Sequence, residues 1–183
     1  MREWEVKVVL PKEVSIEELT KELMRLGYKL IESRSEVDTY IDLTPCKCVP
    51  KDTVLRVRKA LVGNELIGEL TYKGPKLLKE IKVREEVSTE LRNPDVVVEI
   101  FRKLGFKTYV VRKERVVLKG DLGKVYLDNV EGLGKFMEFE VMNAKSATEF
   151  KNALRELLRK LGMDNYRVTS KSYLEMLLAG DGA

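Results

Sequence analysis

The feature that most limits how this chain can fold is an alternation of charged and apolar residues that recurs in six separate stretches. In an extended strand, successive side chains point to opposite faces, so a period of two sorts them into two sets. Glu3, Glu5 and Lys7 share one face of the first stretch, with Trp4, Val6 and Val8 on the other. Arg56 and Arg58 oppose Leu55 and Val57, and Glu69, Thr71 and Lys73 oppose Leu70 and Tyr72. Lys82, Arg84 and Glu86 oppose Ile81, Val83 and Val87. Lys113 and Arg115 oppose Val116 and Leu118, and Glu138 and Glu140 oppose Met137, Phe139 and Val141.

One such strand needs nothing more than a sheet with a wet face. A whole series with matching charged faces makes either a flat solvated sheet or a barrel lined by polar groups. In both, helices would cover the apolar face, and helix signals are present. Ser15 with Glu18 forms a capping box ahead of the stripe Ile16, Leu19, Leu23 and Leu26, which stops at Gly27. Asn93-Pro94 opens a second helix that runs to Leu104-Gly105. Ser146 with Glu149 opens a third, ending at Leu161-Gly162, and a fourth is predicted over Ser170 to Leu178. Further strands are predicted over Val37–Leu43, Thr53–Ala60, Glu65–Tyr72, Tyr109–Lys119 and Lys124–Asn129. The fold class is therefore α+β. No linker divides the chain, so residues 1–178 read as one domain with a short tail over 179–183.

Composition narrows the chemistry. The 183 residues are 44% hydrophobic, enough for a core, and 35% are charged, well above the usual quarter. With no His and no Gln, that balance suggests a thermophilic source. The missing His also removes Ser-His-Asp and Cys-His catalysis within one chain, leaving carboxylate, Lys, Tyr or metal-bound water as general base. Cys46 and Cys48 are one residue apart, a poor disulfide spacing and half of a zinc site, so they read as loop thiols. A net charge of +4 does not by itself call for nucleic acid. No apolar run reaches the roughly 18–20 residues of a membrane span, and no signal-peptide core opens the chain, so the expectation is cytoplasmic.

In a barrel, Lys7, Arg56, Arg58, Lys73, Arg84, Lys113 and Arg115 would crowd one lumen. Uncompensated, such charges repel in a low-dielectric interior, and a polyanion would compensate them. Arg forks suit phosphate oxygens, while Glu3, Glu5, Glu138 and Glu140 would need Mg²⁺ between themselves and the phosphate. Arg58→Ala is then expected to weaken phosphate handling and leave the fold intact.

Taken in order, Glu3-x-Glu5-x-Lys7, Leu55-Arg56-Val57-Arg58, Thr71-Tyr72-Lys73-Gly74-Pro75, Arg84-Glu85-Glu86, Lys113-Glu114-Arg115 and Glu138-Phe139-Glu140 resemble the CYTH superfamily, the triphosphate tunnel metalloenzymes. Asp128 to Gly134 and Lys171-Ser172-Tyr173 resemble stretches of its class IV adenylyl cyclase branch. The resemblance implies a closed eight-stranded antiparallel tunnel flanked by helices. It implies Mg²⁺ or Mn²⁺ on Glu3, Glu5, Asp128, Glu138 and Glu140. It also implies that Lys7 and the other lumen cations hold ATP or another triphosphate, with Glu3, Glu5, Lys7 and Glu140 as the catalytic set and Glu86 ordering the bases. The activity it implies is cyclisation of ATP to cAMP and pyrophosphate, or hydrolysis of inorganic or thiamine triphosphate. Homodimers occur among such relatives. Neither a membrane nor a nucleic acid is an expected partner, although a non-catalytic polyphosphate- or nucleic-acid-binding module is a third reading. One stretch departs from the cyclase pattern, which carries a His-containing motif after the first helix. There, Asp38, Tyr40 and Asp42 read equally well as an ordinary strand or as substrate contacts. On the last helix, the resemblance places Lys171 at the tunnel mouth, and the alternative is a surface Lys171 with a packed Tyr173.

Overall fold

Each alternating stretch forms a strand in the computed structural model, which describes residues 2–77, 82–142 and 144–180, without the side chains of Arg2, Glu3, Lys82 and Met142. The strands are β1 (Arg2–Leu10), β2 (Lys29–Ile41), β3 (Val54–Val62), β4 (Glu65–Lys73), β5 (Lys82–Leu91), β6 (Thr108–Gly120), β7 (Gly123–Val130) and β8 (Gly134–Met142). They pair antiparallel in the order β5-β4-β3-β2-β6-β7-β8-β1, and β5 pairs back onto β1. That last pairing closes the sheet into an eight-stranded barrel and rules out the flat alternative. Closure pairs the strand edges that an open sheet would expose. A two-residue β9 (Val168–Thr169) completes the pairing of β1 along its second half.

Pairing also sorts charge. Across the lumen face, the register sets Lys7 opposite Glu138, Arg58 opposite both Asp38 and Glu69, Lys113 opposite Glu36, Arg115 opposite Asp128, and Lys73 opposite Glu86. These pairs set opposite charges face to face, while the same register also sets Glu5 opposite Glu140 and Arg34 opposite Arg115, like charges that other neighbours have to offset. The greatest departure from expectation is β2, which begins at Lys29 instead of Val37. Its early half carries Arg34 and Glu36 in phase with Asp38, and a bulge between Leu30 and Glu32 absorbs the extra residue. The β6–β7 turn depends on Gly123, at φ 149°, where a Cβ would lie 2.4 Å from the Glu140 carbonyl oxygen.

The helices start where their caps stand. Ser15 accepts the Glu18 N–H ahead of α1 (Ile16–Arg25), and Ser146 accepts that of Glu149 ahead of α3 (Ala147–Lys160). Pro94 opens α2 (Pro94–Lys103), although the Asn93 side chain makes no capping bond. α4 (Tyr173–Ala179) begins later than expected because Ser172, with Glu175, supplies the complete capping box. It ends on Ala179, inside the expected tail, of which 181–183 lie outside the described residues.

Two apolar clusters follow. Leu19 and Leu23 of α1 and Phe150 and Leu157 of α3 pack on the outer face of the barrel, against Val6, Val8, Leu118, Leu127, Met137 and Phe139. Burying each such side chain stabilises the fold by about 1.5–3 kcal/mol. α4 behaves differently. Its Tyr173 and Met176 pack on Tyr40, Val111, Val130 and Phe136, which lie in phase with the lumen charges, so this helix stops one end of the barrel. Among the described residues, no helix is long and apolar enough to cross a membrane.

Candidate active site

The barrel encloses a cavity of about 650 Å³. Lys7, Arg56, Arg58, Lys73, Arg84, Lys113 and Arg115 all line it, and so do Glu5, Glu138 and Glu140. The alternation therefore brings together every cation expected there. Of the expected acids, the Glu3 side chain lies outside the described residues, with its backbone paired to Arg84 across β1–β5.

The lumen cations are not uncompensated. Asp38 receives Arg58 Nε and Nη2 at 2.6 and 2.9 Å and Lys113 Nζ at 2.6 Å. Glu36 faces Lys113 at 2.7 Å, Arg58 at 3.1 Å and Arg34 at 2.6 Å. Arg56 reaches Glu69 at 2.9 Å, Lys73 reaches Glu86 at 2.8 Å, and Arg84 reaches Asp52 at 2.8 Å. A polyanion was expected to compensate this crowd, and in the structure resident carboxylates of the neighbouring strands already do much of it, Glu86 among them. An arriving anion has to compete with them. Two donors still make no hydrogen bond among the described residues: Arg56 Nε, which has Asp38 Oδ1 only at ion-pair range, 3.9 Å away, and Arg84 Nε, both buried.

Glu36 was missed in the sequence, and Asp38 was left undecided there. Both are fully buried. Burial works to raise their pKa values, yet both are held below the usual carboxylate range, Glu36 by Arg115, Arg58 and Lys113 and Asp38 by Arg58, Lys113 and Arg56. Lys113 is pushed down by burial, with Arg58 and Arg115 adding to the effect against Asp38 and Glu36. Neutralising an ammonium beside two guanidinium groups eases their mutual repulsion.

On the opposite wall, Glu5 and Glu140 pair across β1–β8, with Lys7 and Glu138 as the next pair. Lys7 Nζ bridges Glu5 and Glu138, lying 3.0 Å from the latter. Burial opposes its charge, but the two carboxylates outweigh burial and raise its pKa. Glu140 accepts the Tyr126 hydroxyl at 2.8 Å. The donors on this wall are all carboxylate oxygens, a set that fits a hard divalent cation such as Mg²⁺ or Mn²⁺ in kind and charge. Among the described residues, no three such groups stand close enough together to hold an ion, and Lys7 supplies the positive charge between two of them. Asp128, which the family resemblance offered as a further ligand, is engaged otherwise. Its oxygens take Arg115 at 2.7 and 2.6 Å and the Tyr173 hydroxyl at 2.6 Å.

Tyr173, undecided in the sequence, enters the cavity, while Lys171 is exposed. The Tyr173 ring lies under Lys7, whose Nζ is 4.9 Å from the ring centre, and the Tyr126 ring stacks on Arg115 at 4.4 Å. Burial first, then Asp128 and Glu138, pushes the Tyr173 phenol well up, and burial with Glu140 does the same to Tyr126.

These shifts predict a plateau in stability against pH. Carboxylates depressed in the fold stabilise it above their ordinary values of 4.5 and 3.8, and that contribution is lost as pH falls through the depressed values. Phenols raised in the fold stabilise it below their ordinary 10.0, and lose that contribution as pH rises beyond it. Urea midpoints should fall as pH drops below about 4.5 and again as it rises beyond about 10, with Lys113, depressed by burial, opposing part of the alkaline loss. A midpoint that stays level through either limit would contradict the assignment.

Comparison with known proteins places this geometry. A family model described as the CYTH domain matches residues 1–173. A Methanocaldococcus jannaschii protein named "Putative adenylate cyclase MJ0240" is 32% identical over 179 residues, spanning 96% of this chain and 98% of its own. The structure of protein PH1819 from Pyrococcus horikoshii OT3 superposes with a TM-score of 0.76 at 31% identity, covering 97% of this chain and 98% of that one. A Hippeastrum barrel titled as an adenylyl cyclase with a dominant triphosphatase activity shares the fold at a TM-score of 0.67 and 18% identity, over 98% of this chain and 95% of its own.

Proposed function

This chain belongs to the CYTH domain family, and on that premise we propose that it is a divalent-metal-dependent enzyme that binds a triphosphate in the barrel and hydrolyses its terminal phosphoryl group. The observation that carries the proposal is the pair of buried donors, Arg56 Nε and Arg84 Nε, left without an acceptor in a cavity lined by cations. A buried donor without a partner costs about 1–3 kcal/mol, and phosphate oxygens are the acceptors that Arg forks fit.

In this reading Arg56, Arg58, Arg84 and Arg115 hold the phosphate oxygens by hydrogen bonds, and Lys7, Lys73 and Lys113 add point charge. Glu3, Glu5, Glu138 and Glu140 hold Mg²⁺ or Mn²⁺, which when bound supplies the positive charge that lets carboxylates and phosphate share one cavity. Lys7 turns from the carboxylates to the substrate, and Asp128 keeps Arg115 aimed. Water attacks the terminal phosphorus, the bridging P–O bond breaks, and orthophosphate and diphosphate leave. The arginines and lysines stabilise the charge that develops on the leaving diphosphate. Hydrolysis fits the lining better than nucleotide chemistry, because the rings of Tyr126 and Tyr173 are taken by Arg115 and Lys7 and offer a nucleobase little stacking surface.

A second reading is cyclisation, in which a ribose 3′-hydroxyl attacks the α-phosphorus of ATP and pyrophosphate leaves. The name of the M. jannaschii relative favours it. A parallel assay with inorganic triphosphate, thiamine triphosphate and ATP, each with Mg²⁺ and with Mn²⁺, decides. Orthophosphate from inorganic triphosphate, abolished by chelator, is the expected result. Predominant cAMP from ATP would select cyclisation, and no product from any of the three would defeat both readings.

A further inference from the structure

Asp52 lies outside the cavity lining, in the connection between β2 and β3, and none of the charge patterns points to it. It is the one non-glycine residue with positive φ among the described residues, at 66°. Asp and Asn are among the few residues with a Cβ that adopt that left-handed region readily, and here the conformation turns main chain and side chain toward one neighbour. What surrounds Asp52 is Arg84. The Arg84 Nη1 donates to the Asp52 carbonyl oxygen at 2.5 Å and to the Gly74 carbonyl oxygen at 2.5 Å, and Nη2 donates to Asp52 Oδ1 at 2.8 Å. The other carboxylate oxygen of Asp52 accepts the Lys76 backbone N–H at 2.9 Å. A single residue therefore grips the guanidinium by main chain and side chain together, and joins the loop before β3 to the loop after β4.

The grip is selective. Both terminal nitrogens of Arg84 are engaged, while Nε, on the stem side of the same planar group, is buried and has no acceptor. Arg84 itself is 2% exposed and lines the cavity. A guanidinium fixed at two nitrogens has its third donor fixed as well, since the group is rigid and planar. We propose that Asp52 is a positioning residue of the phosphate site, holding Arg84 so that its Nε–H is offered to the anion in the cavity. The left-handed backbone is what lets the carbonyl and the carboxylate of one residue meet the same side chain. The inference rests on the reading of the cavity as a triphosphate site.

The test uses the full chain and inorganic triphosphate, titrated calorimetrically in the presence of Mg²⁺. Asp52→Asn keeps the side-chain volume and tolerates the left-handed backbone, so the turn survives while the carboxylate charge facing Arg84 is lost. Its dissociation constant should rise about tenfold, the scale of one hydrogen bond to a charged group. In an Arg84→Gln background the same change should move affinity less than twofold, because the group through which Asp52 acts is gone. Wild-type affinity in Asp52→Asn, or equal losses in both backgrounds, would overturn the proposal by reducing Asp52 to a loop tether. Exchange of the Arg84 Nε–H, followed by nitrogen-15 NMR without ligand, gives a second readout. It should be faster in Asp52→Asn than in wild type, and equal rates would also overturn the proposal. A wild-type chain that takes up no triphosphate would instead defeat the functional reading, and the exchange rates would still report whether Asp52 fixes Arg84.

Discussion

Arg58→Ala is expected to destabilise the protein by about 3 kcal/mol, a large part of the roughly 5–15 kcal/mol available to a domain. The guanidinium is the bidentate partner of Asp38 and also reaches Glu36, and both acids are buried. Removing it leaves two buried carboxylates with less positive charge around them. Lys113 stays with both of them, which keeps the loss at the lower end of the range for a broken buried pair. The sequence alone led to the opposite expectation, of a fold left intact. Urea denaturation distinguishes the two, and adding Asp38→Asn should restore part of the loss, because a neutral amide needs no cation. An unchanged midpoint in Arg58→Ala would show that the resident acids are satisfied without it.

Glu5→Gln is expected to reduce metal-dependent turnover on the order of a hundredfold or more while stability changes little. Gln keeps the shape and removes the negative charge that a divalent cation requires. Lys7 keeps Glu138 as partner, so the fold has a fallback for that ammonium. Turnover and thermal midpoint measured on one preparation separate chemistry from folding. Full activity in Glu5→Gln would remove this residue from the metal set, and a large drop in midpoint would reassign it to structure.

The chemistry of the lumen was legible in the sequence because a strand has a period of two, and six of its stretches alternate in phase. What alternation cannot carry is register. Asp38 and Glu36 belong to the site because β2 is paired between β3 and β6, which brings Arg58 and Lys113 onto them. The pattern Arg34, Glu36, Asp38 is present in the sequence, but the strand predicted there begins at Val37 and excludes Glu36. Arg115 and Asp128 show the same limit. Arg115 reads from the alternation as a lumen cation and Asp128 is a metal ligand only by family resemblance, and their direct opposition across β6–β7 is what makes them partners. Asp52 gave no signal at all. Its proposed role rests on a long-range contact with Arg84, which does not follow from residue type.

The seating of α4 in the end of the barrel has a consequence for traffic. With that end filled by Tyr173 and Met176, the vessel is a cul-de-sac, and arrivals and departures share one doorway. Under the proposed function, a long anionic polymer would be held by its tip and not threaded, and each product would leave by the end through which its substrate came in.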